Sequence, residues 1–172
     1  MAIFYKNIIR NLVGLTPLIL LYYLCLSNTE SQMILFGNFF VNLKYIIIFY
    51  WTLRNPSIIG YGHIFLAGIL SDVVNGLPMG TSSICFLIMV AIAAYIRNMT
   101  VRISLWSDWI VFVPTVFITN LVFFILISYY SNIGIDYIEL FFGSIVTILF
   151  YPLIWILFSF LTKYINIRGE VA

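Results

Sequence analysis

Six apolar runs separated by short polar segments organise the hydropathy pattern of the chain. Asn55 and Pro56, for example, separate the second run from the third, and a residue before proline is biased away from helix. A helix needs about 20 apolar residues to cross a hydrocarbon core ~30 Å thick, so six crossings leave only short loops in 172 residues. We therefore predict an all-α integral membrane protein. Its single domain, residues 1–172, is expected to cross the membrane six times, over residues 12–27, 38–53, 58–74, 82–96, 109–130 and 138–162.

The composition agrees with a membrane environment. Hydrophobic residues make up 63% of the chain and charged residues 8%. A soluble domain with this composition would expose large apolar patches and aggregate. The net charge is only +2 and no basic cluster is present, which argues against nucleic acid as a partner. The partner that the composition does indicate is the lipid bilayer.

The positions of the basic residues predict the orientation of the chain. With six spans and a cytoplasmic start, the cytoplasmic side receives seven of the eight Lys and Arg residues, namely Lys6, Arg10, Arg54, Arg97, Arg102, Lys163 and Arg168. Basic residues next to spans concentrate on the cytoplasmic side, so both termini are expected there. The exception is Lys44, which should either face the bundle or reach the interface at the outer end of the second span, because a lysine in lipid is costly.

The segment from Gly60 to Gly80, GYGHIFLAGILSDVVNGLPMG, differs from a generic apolar helix. Four of its glycines are spaced by four or eight residues and share a register with an acid: Gly60, Gly68, Gly76 and Gly80, with Asp72. On a helix these positions would form one stripe. Glycine lets another backbone approach closely, which is how helices associate in lipid. We therefore predict a helix-packing groove that carries one acid.

A turn is predicted at the C-terminal end of this segment. Pro78 cannot continue a helix, because it lacks an N–H group and its ring collides with the preceding turn. The turn should therefore fall at about residues 75–80. The hydroxyl groups of Thr81, Ser82 and Ser83 are then available to cap the next helix.

Asp72 is the ionisable residue for which a functional and a structural interpretation compete. An acid inside a membrane span is a functional candidate, because its burial is costly. It could contact a partner, or it could bind an ion or a substrate. The structural interpretation, which we favour, is that Asp72 accepts hydrogen bonds from N–H groups of the turn or of the next helix start, where the helix dipole also favours an anion.

The fifth and sixth spans contain further polar or helix-bending residues. Pro114 and Pro152 are expected to bend their helices. Asn120, near the middle of the fifth span, is expected to form a structural hydrogen bond to another helix. Ser107 or Asp108 is expected to cap the start of the fifth span.

Sequence motifs of the common enzyme classes are absent from the chain. It contains no P-loop, dinucleotide fingerprint, nucleophile elbow or histidine pair at metal-ligand spacing. His63 is the one histidine and lies near a predicted helix end, and both cysteines, Cys25 and Cys85, lie in apolar runs. We therefore expect a non-enzymatic protein that needs no cofactor and no metal.

One pattern within the segment from Gly60 to Gly80 resembles that of a known family. The pattern F-x-x-G-x-x-x-D-x-x-x-G-x-P-x-G is formed by Phe65, Gly68, Asp72, Gly76, Pro78 and Gly80. It resembles the signature of the bacterial rod shape-determining protein MreD family, and the resemblance extends from about Val41 to Lys163. Two positions depart from the family pattern: Val41 stands before Asn42 where the family often has proline, and Thr147 stands where it often has asparagine.

The resemblance implies a fold, a location and a function. The fold would be a six-helix transmembrane bundle similar to the substrate-binding subunits of energy-coupling-factor transporters, in the bacterial inner membrane. The protein would be a subunit of the cell-elongation machinery that binds the single-span protein MreC. It would thereby link MreB filaments to the peptidoglycan polymerase RodA and its transpeptidase partner, with the MreC helix lying in the glycine groove.

The similar fold also implies an alternative function. The chain could be a small-molecule or lipid-binding subunit of a membrane transporter. Such a function requires an enclosed pocket with polar walls. The residues available for it are few: Asp72, Asn75, Asn120 and Glu139.

Overall fold

The computed structural model describes residues 15–27, 42–54, 56, 59–99, 104–130 and 137–170, with the side chains of the last range described at 138 and 140–160. These residues form six α-helices: α1 (Thr16–Leu26), α2 (Leu43–Arg54), α3 (Tyr61–Asn75), α4 (Thr81–Met99), α5 (Leu105–Tyr130) and α6 (Tyr137–Glu170). The all-α prediction is confirmed, and each helix overlaps one of the six predicted spans. The predicted residues 12–14, 38–41 and 58 lie outside the described part of the chain.

Three helices are long and apolar enough to cross a membrane. They are α4, α5 and the Leu140–Phe160 part of α6. Helices α1, α2 and α3 have 11, 12 and 15 residues. At 1.5 Å per residue their described lengths are about 16–23 Å, which is shorter than a ~30 Å hydrocarbon core. Complete crossings by these three helices therefore stay a prediction.

Helix α2 lies at the centre of the bundle. Ten consecutive residues, Lys44 to Leu53, are buried. Helices α1, α4 and α6 pack against α2, and α4 also packs against α3 and α5. The sequence YIIIFYWTL leaves α2 without a polar face, and a helix that is apolar all round is a buried helix. Thus α2 is the element on which its neighbours pack, although α3 has the more distinctive sequence.

An aromatic cluster joins α2 to α5 and α6. The rings of Phe112 and Tyr151 are stacked with centroids 4.3 Å apart. Phe49 approaches both rings, at 5.1 Å and 6.0 Å. Aromatic pairs of this kind stabilise by about 0.5–1.5 kcal/mol beyond the area that they bury. The cluster therefore connects the central helix to the last two helices near their middle.

Polar side chains form hydrogen bonds between helices. The Asn120 side-chain amide donates to Ser144 Oγ at 2.6 Å, between α5 and α6, which confirms the predicted bond from Asn120 to another helix. Such bonds contribute about 0.6–2 kcal/mol in membrane bundles. The backbone N–H of Asn42 donates to Thr147 Oγ1 at 2.9 Å. Thr147, one of the two departures from the family pattern, therefore links the start of α2 to α6.

Pro114 and Pro152 lie inside α5 and α6, as predicted, and bending at these positions stays a prediction. Because Pro152 has no N–H group, the Ile148 carbonyl four residues earlier lacks its usual helical donor. The Trp109 indole N–H of α5 donates to this carbonyl at 3.1 Å. The proline thus creates an acceptor that the neighbouring helix uses, as membrane helices require of freed backbone groups.

Helix α5 begins four residues earlier than the predicted span. It starts at Leu105, and Ser104 Oγ accepts the backbone N–H of Ser107 at 3.3 Å. The backbone N–H of Asp108 donates to the Ser104 carbonyl at 2.9 Å. The prediction that Ser107 or Asp108 caps this helix is therefore wrong. Ser104 is the cap, and the Asp108 side chain in the first turn has other partners.

Candidate functional site

The best-defined polar arrangement in the structure is the hairpin formed by α3, the turn at residues 76–80 and α4. Helix α3 ends at Asn75, and the next residue, Gly76, adopts the left-handed conformation with φ 65° and ψ 26°. The N–H groups of Gly76 and Leu77 both donate to the Asp72 carbonyl, the latter at 2.9 Å. A left-handed glycine with these two bonds is a common way to satisfy the last carbonyls of a helix. The position of the turn is as predicted.

The Asp72 carboxylate binds the other side of the same turn. Its Oδ2 accepts the backbone N–H of Gly80 at 2.8 Å, and its Oδ1 accepts that of Ser82 at 2.9 Å. Both donors are at the start of α4, where N–H groups lack helical acceptors and the dipole favours an anion. Hydrogen bonds to a charged acceptor are stronger than neutral ones. Asp72 therefore fixes where α4 starts relative to α3, in agreement with the capping interpretation.

The burial of Asp72 bears on the other two interpretations. The residue is 0% exposed, and each of its two carboxylate oxygens already accepts a backbone N–H. Because the residue is fully buried, a partner side chain or an ion could reach the carboxylate only if the hairpin rearranged. Among the described contacts, Asp72 holds the hairpin together and offers no accessible oxygen.

Gly68 permits the closest approach between α3 and α4. A Cβ atom at this position would lie 2.4 Å from the Cα and 2.6 Å from the backbone N of Ser83. No side chain fits at these distances, because the obstructing atoms are backbone. The Ser83 hydroxyl donates to the Phe65 carbonyl at 3.0 Å across the same contact. The predicted helix-packing role of Gly68 is therefore confirmed, and the helix that packs there is the fourth helix of the chain itself.

The predicted glycine stripe does not exist as one feature. Helix α3 comprises Tyr61–Asn75, so Gly60, Gly76 and Gly80 lie outside it. Gly76 and Gly80 have φ values of 65° and 97°, which L-residues with side chains rarely adopt. Gly60 has an ordinary φ of −67°, and a Cβ there would be 3.8 Å from its nearest neighbour. The glycines thus serve backbone conformation in the turn and close packing only at Gly68.

The hydroxyl groups after the turn do not cap α4 in the predicted way. Thr81 Oγ1 donates to the Pro78 carbonyl at 2.9 Å, and the Thr81 N–H donates to the same carbonyl at 3.2 Å. Ser83 donates to Phe65, as described above. The expectation of hydroxyl caps is therefore wrong, because the Thr81 and Ser83 hydroxyls donate to carbonyls and the Asp72 carboxylate accepts N–H groups at the start of α4.

A buried lysine lies beside this hairpin. Lys44, in the first turn of α2, is 4% exposed, and its Nζ donates to Ser71 Oγ at 3.0 Å. The Asn75 amide also donates to Ser71 Oγ, at 3.3 Å. Lys44 therefore faces the bundle, which is one of the two predicted possibilities, and its cation lies close to the residue that precedes the Asp72 anion. We call this region, where α2 starts and α3 ends, the Asp72 end.

A second charged cluster lies at the opposite end of α2. Asp108 Oδ2 accepts the Trp155 indole N–H at 3.0 Å and is 3.9 Å from Arg54 Nη2. The Arg54 guanidinium lies over the rings of Tyr50 and Trp155, 4.5 Å and 4.7 Å from their centroids. We call this region the Asp108 end. It links α2, α5 and α6.

Sequence reasoning missed this cluster because its members are far apart in the chain. The sequence explains Arg54 as one of the cytoplasmic basic residues and Asp108 as a candidate helix cap, and each interpretation is local. Trp155 is 47 positions from Asp108, so no local spacing connects them. The available signal was the placement of an arginine and an aspartate at span ends on one predicted side of the membrane.

The residues that an enclosed polar pocket would need have separate partners. Asp72 and Asn75 bond within the Asp72 end, whereas Asn120 bonds Ser144 between α5 and α6. The side chain of Glu139 lies outside the described residues. Within the described part of the chain, no three His, Cys, Asp or Glu side chains are grouped as metal ligands.

The chain matches no protein-family model, no curated protein and no solved structure. The geometry of the α3–α4 hairpin and the sequence pattern that forms it are therefore the features that indicate a function.

Proposed function

We propose that this chain is a non-enzymatic inner-membrane subunit of the bacterial cell-elongation complex, of the MreD family. It binds an MreC-like single-span membrane protein and so helps to organise peptidoglycan synthesis. Through MreC it is coupled to MreB filaments and to RodA with its transpeptidase partner. The observation that carries the proposal is the α3–α4 hairpin, in which every residue of the family-like pattern has a part.

The geometry of the hairpin accounts for the spacing in this pattern. Gly68 lies where the two helices touch, and Asp72, one turn later, reaches the N–H of Gly80 across the turn. Gly76 ends α3 in the left-handed conformation, and Pro78 accepts the first hydrogen bonds of the next segment. A generic apolar hairpin does not require this combination. The residues that form the family-like pattern therefore lie in one structural unit, the α3–α4 hairpin, and each has a defined place in it.

The proposal includes the fold and topology of the family. We propose a six-span bundle similar to the energy-coupling-factor substrate-binding subunits, with both termini in the cytoplasm. In support, Arg54 and Arg97 end α2 and α4 at the Asp108 end of the bundle, whereas Lys44 lies at the Asp72 end. This separation of basic residues agrees with a cytoplasmic Asp108 end.

The surface for the partner helix is proposed on the outward face of α3. Gly68 is unavailable because α4 covers it, but Gly62 is exposed and a Cβ there would meet no atom within 4 Å. Leu66 and Val73, on the same helix, are 51% and 55% exposed. A small residue flanked by apolar side chains is suited to helix association in lipid.

Co-purification in detergent with a tagged MreC-like protein tests the proposal. The unmodified chain should be captured, whereas Gly62→Leu should fold normally and reduce capture by at least about tenfold, which corresponds to ~1.4 kcal/mol. Ala91→Leu is the matched control, because Ala91 is also exposed but lies on α4. It should leave capture unchanged.

Two results would count against the proposal. Failure of the unmodified chain to bind any MreC-like protein would remove its main content. If, in addition, a small molecule raised the thermal stability of the chain, the transporter-subunit alternative would be favoured. Equal capture by the Gly62→Leu and Ala91→Leu variants would reject only the proposed surface on α3.

A further inference from the structure

The Asp108 end has a layered arrangement that the proposed function does not use. Each of three helices contributes two side chains one turn apart, and the polar layer consists of Arg54, Asp108 and Trp155. The layer below it contains Tyr50, Phe112 and Tyr151, four residues away along α2, α5 and α6 respectively. The polar layer therefore packs directly on an aromatic layer one turn away along the three helices.

Among the described residues, the Arg54 guanidinium has few hydrogen-bond partners. It carries five N–H donors. Its recorded ion pair, to Asp108 Oδ2, has a length of 3.9 Å, which is longer than a hydrogen bond. Its Nε is buried and has no hydrogen-bond partner in the described part of the chain. A buried charged donor without an acceptor is unfavourable, so this group is suited to an additional acceptor.

The surroundings of Arg54 restrict what that acceptor can be. The rings of Tyr50 and Trp155 pack against the guanidinium, and an acceptor has to bind the planar edge that carries its N–H groups. The Arg54 side chain is 19% exposed, so part of it reaches the surface, whereas its Nε is buried. A planar guanidinium fork matches the oxygens of a phosphate group, which it binds through two parallel hydrogen bonds.

The depth of Arg54 agrees with a phosphate ligand. Trp106 and Trp109 follow one another along the start of α5, with ring centroids 5.9 Å apart, and Trp106 is 68% exposed. Indole rings concentrate at the level of lipid headgroups. Basic sites between membrane helices at this level bind the headgroups of phospholipids.

We infer that the edge of the Arg54 guanidinium, which packs against Tyr50 and Trp155, is a phosphate-binding site at the Asp108 end. The ligand is a phosphate ester, whether part of a phospholipid headgroup or of a soluble phosphate compound. The Asp108 carboxylate lies next to the site, and its negative charge repels that of the phosphate and weakens binding. The hydrogen bond that Asp108 accepts from Trp155 also orients the indole. This inference does not depend on the proposed function.

Thermal unfolding of the purified full chain in detergent tests the inference. The three probes are phosphatidylglycerol, diacylglycerol with the same acyl chains, and inorganic phosphate. Phosphatidylglycerol at ~100 times its Kd should raise Tm by about 5–10 °C, and diacylglycerol should not. A rise with inorganic phosphate as well would assign the site to soluble phosphates in addition to lipids, whereas no rise with it would assign the site to headgroups.

Lysine substitutions separate this site from general attraction between charges. Arg54→Lys keeps the positive charge but loses the fork and the Nε donor, so the rise in Tm should disappear. Arg97→Lys is the matched control, because Arg97 is exposed in the last turn of α4 at the same end. It should retain the full rise. The inference is overturned if diacylglycerol stabilises as well as phosphatidylglycerol, or if the two lysine variants respond alike.

A substitution of Asp108 keeps the test decisive if Arg54→Lys does not fold. Asp108→Asn removes the negative charge next to the site and keeps an oxygen that can accept the Trp155 indole N–H. It should therefore increase the phosphatidylglycerol-dependent rise in Tm above that of the unmodified chain. A rise that is equal or smaller would show that Arg54 serves only as the ionic partner of Asp108, which would overturn the inference.

Discussion

Among the described residues, Asp72 at one end of the bundle and Asp108 at the other are buried aspartates, and the two acids are held in different ways. Asp72 binds backbone N–H groups 8 and 10 positions later in the sequence, and both of its oxygens have an acceptor role at 2.8–2.9 Å. Asp108 binds side chains from two other helices, one at 3.0 Å and one only at 3.9 Å. The first acid therefore determines a local turn, whereas the second depends on the correct assembly of three helices.

This difference predicts that changes at the Asp72 end destabilise the hairpin itself. The largest effect is expected for Gly68→Leu, because its Cβ would lie 2.4 Å from the Ser83 Cα. Overpacking usually costs about 1–3 kcal/mol, and a backbone clash should exceed that range, at about 5 kcal/mol. Most of the stability of a domain would then be lost. The measurement is the folded fraction by size-exclusion chromatography and circular dichroism in detergent.

The matched control for Gly68→Leu is Gly62→Leu on the same helix, at a position with open space around the added side chain. It should elute and unfold like the unmodified chain. If both leucine variants behaved alike, the close contact between Gly68 and Ser83 would have no energetic role, and the account of the hairpin would fail.

The next effect in size is expected at Asp72. Asp72→Ala leaves two N–H groups at the start of α4 without an acceptor, which should cost about 3–4 kcal/mol. Asp72→Asn can accept only one of the two, and its amide group would face the other N–H. We therefore expect an intermediate loss of about 2 kcal/mol, although asparagine is a good cap in a one-bond site. Thermal unfolding measures both values.

The Asp72 series contains its own contradiction test. If Asp72→Asn were as stable as the unmodified chain, only one of the two hydrogen bonds would contribute to folding. If Asp72→Ala were also stable, the capping interpretation would fall and the binding interpretations would regain importance.

The local character of the Asp72 end explains why the sequence predicts it well. The turn at residues 76–80 and the role of the acid follow from the spacing of Asp72, Gly76 and Pro78 within a few residues. The six helices likewise follow from apolar runs. Even here, the single glycine stripe was wrong, because α3 ends before Gly76 and a stripe requires one continuous helix.

The features that the sequence could not predict are those made by distant residues. No spacing indicates that α2 is enclosed by its neighbours, nor that Arg54 and Trp155 both approach Asp108. The bond from Trp109 to the carbonyl that Pro152 frees is equally hidden, because it needs the relative rotation of two helices. Local patterns thus define elements and turns, and contacts between elements define the Asp108 end.

A smaller loss is expected for Asp108→Asn than for Asp72→Asn. The asparagine oxygen can still accept the Trp155 indole N–H, and the ion pair that is lost is long and involves a partly exposed arginine. At 3.9 Å this ion pair is longer than a hydrogen bond, and Arg54 would keep its contacts with the rings of Tyr50 and Trp155, so we expect a loss of about 1 kcal/mol. Thermal unfolding of the two asparagine variants under the same conditions checks the comparison. A greater loss at Asp108 would reverse the proposed contrast between the ends.

An effect of similar size is expected for the hydrogen bond between Trp109 and Ile148, which adjoins the Asp108 end. Trp109→Phe keeps the aromatic packing and removes the indole N–H. The Ile148 carbonyl is then left without a hydrogen-bond donor, which should cost about 1 kcal/mol. Pro152→Ala in the same chain restores a backbone N–H at position 152, which can donate to this carbonyl within α6. The alanine substitution should therefore recover stability in the Trp109→Phe background and add little in the unmodified chain.

The double-mutant cycle for this pair should give a coupling of about 0.5–1 kcal/mol, measured as differences in unfolding free energy. Additivity of the two substitutions would show that the indole N–H does not compensate for the proline. A coupling of the expected size would show instead that α6 tolerates Pro152 because α5 supplies the missing donor. The backbone and the side chains at the Asp108 end would then both depend on hydrogen bonds between helices. At the Asp72 end, by contrast, the backbone N–H groups of the turn are bound by a carboxylate of the same hairpin.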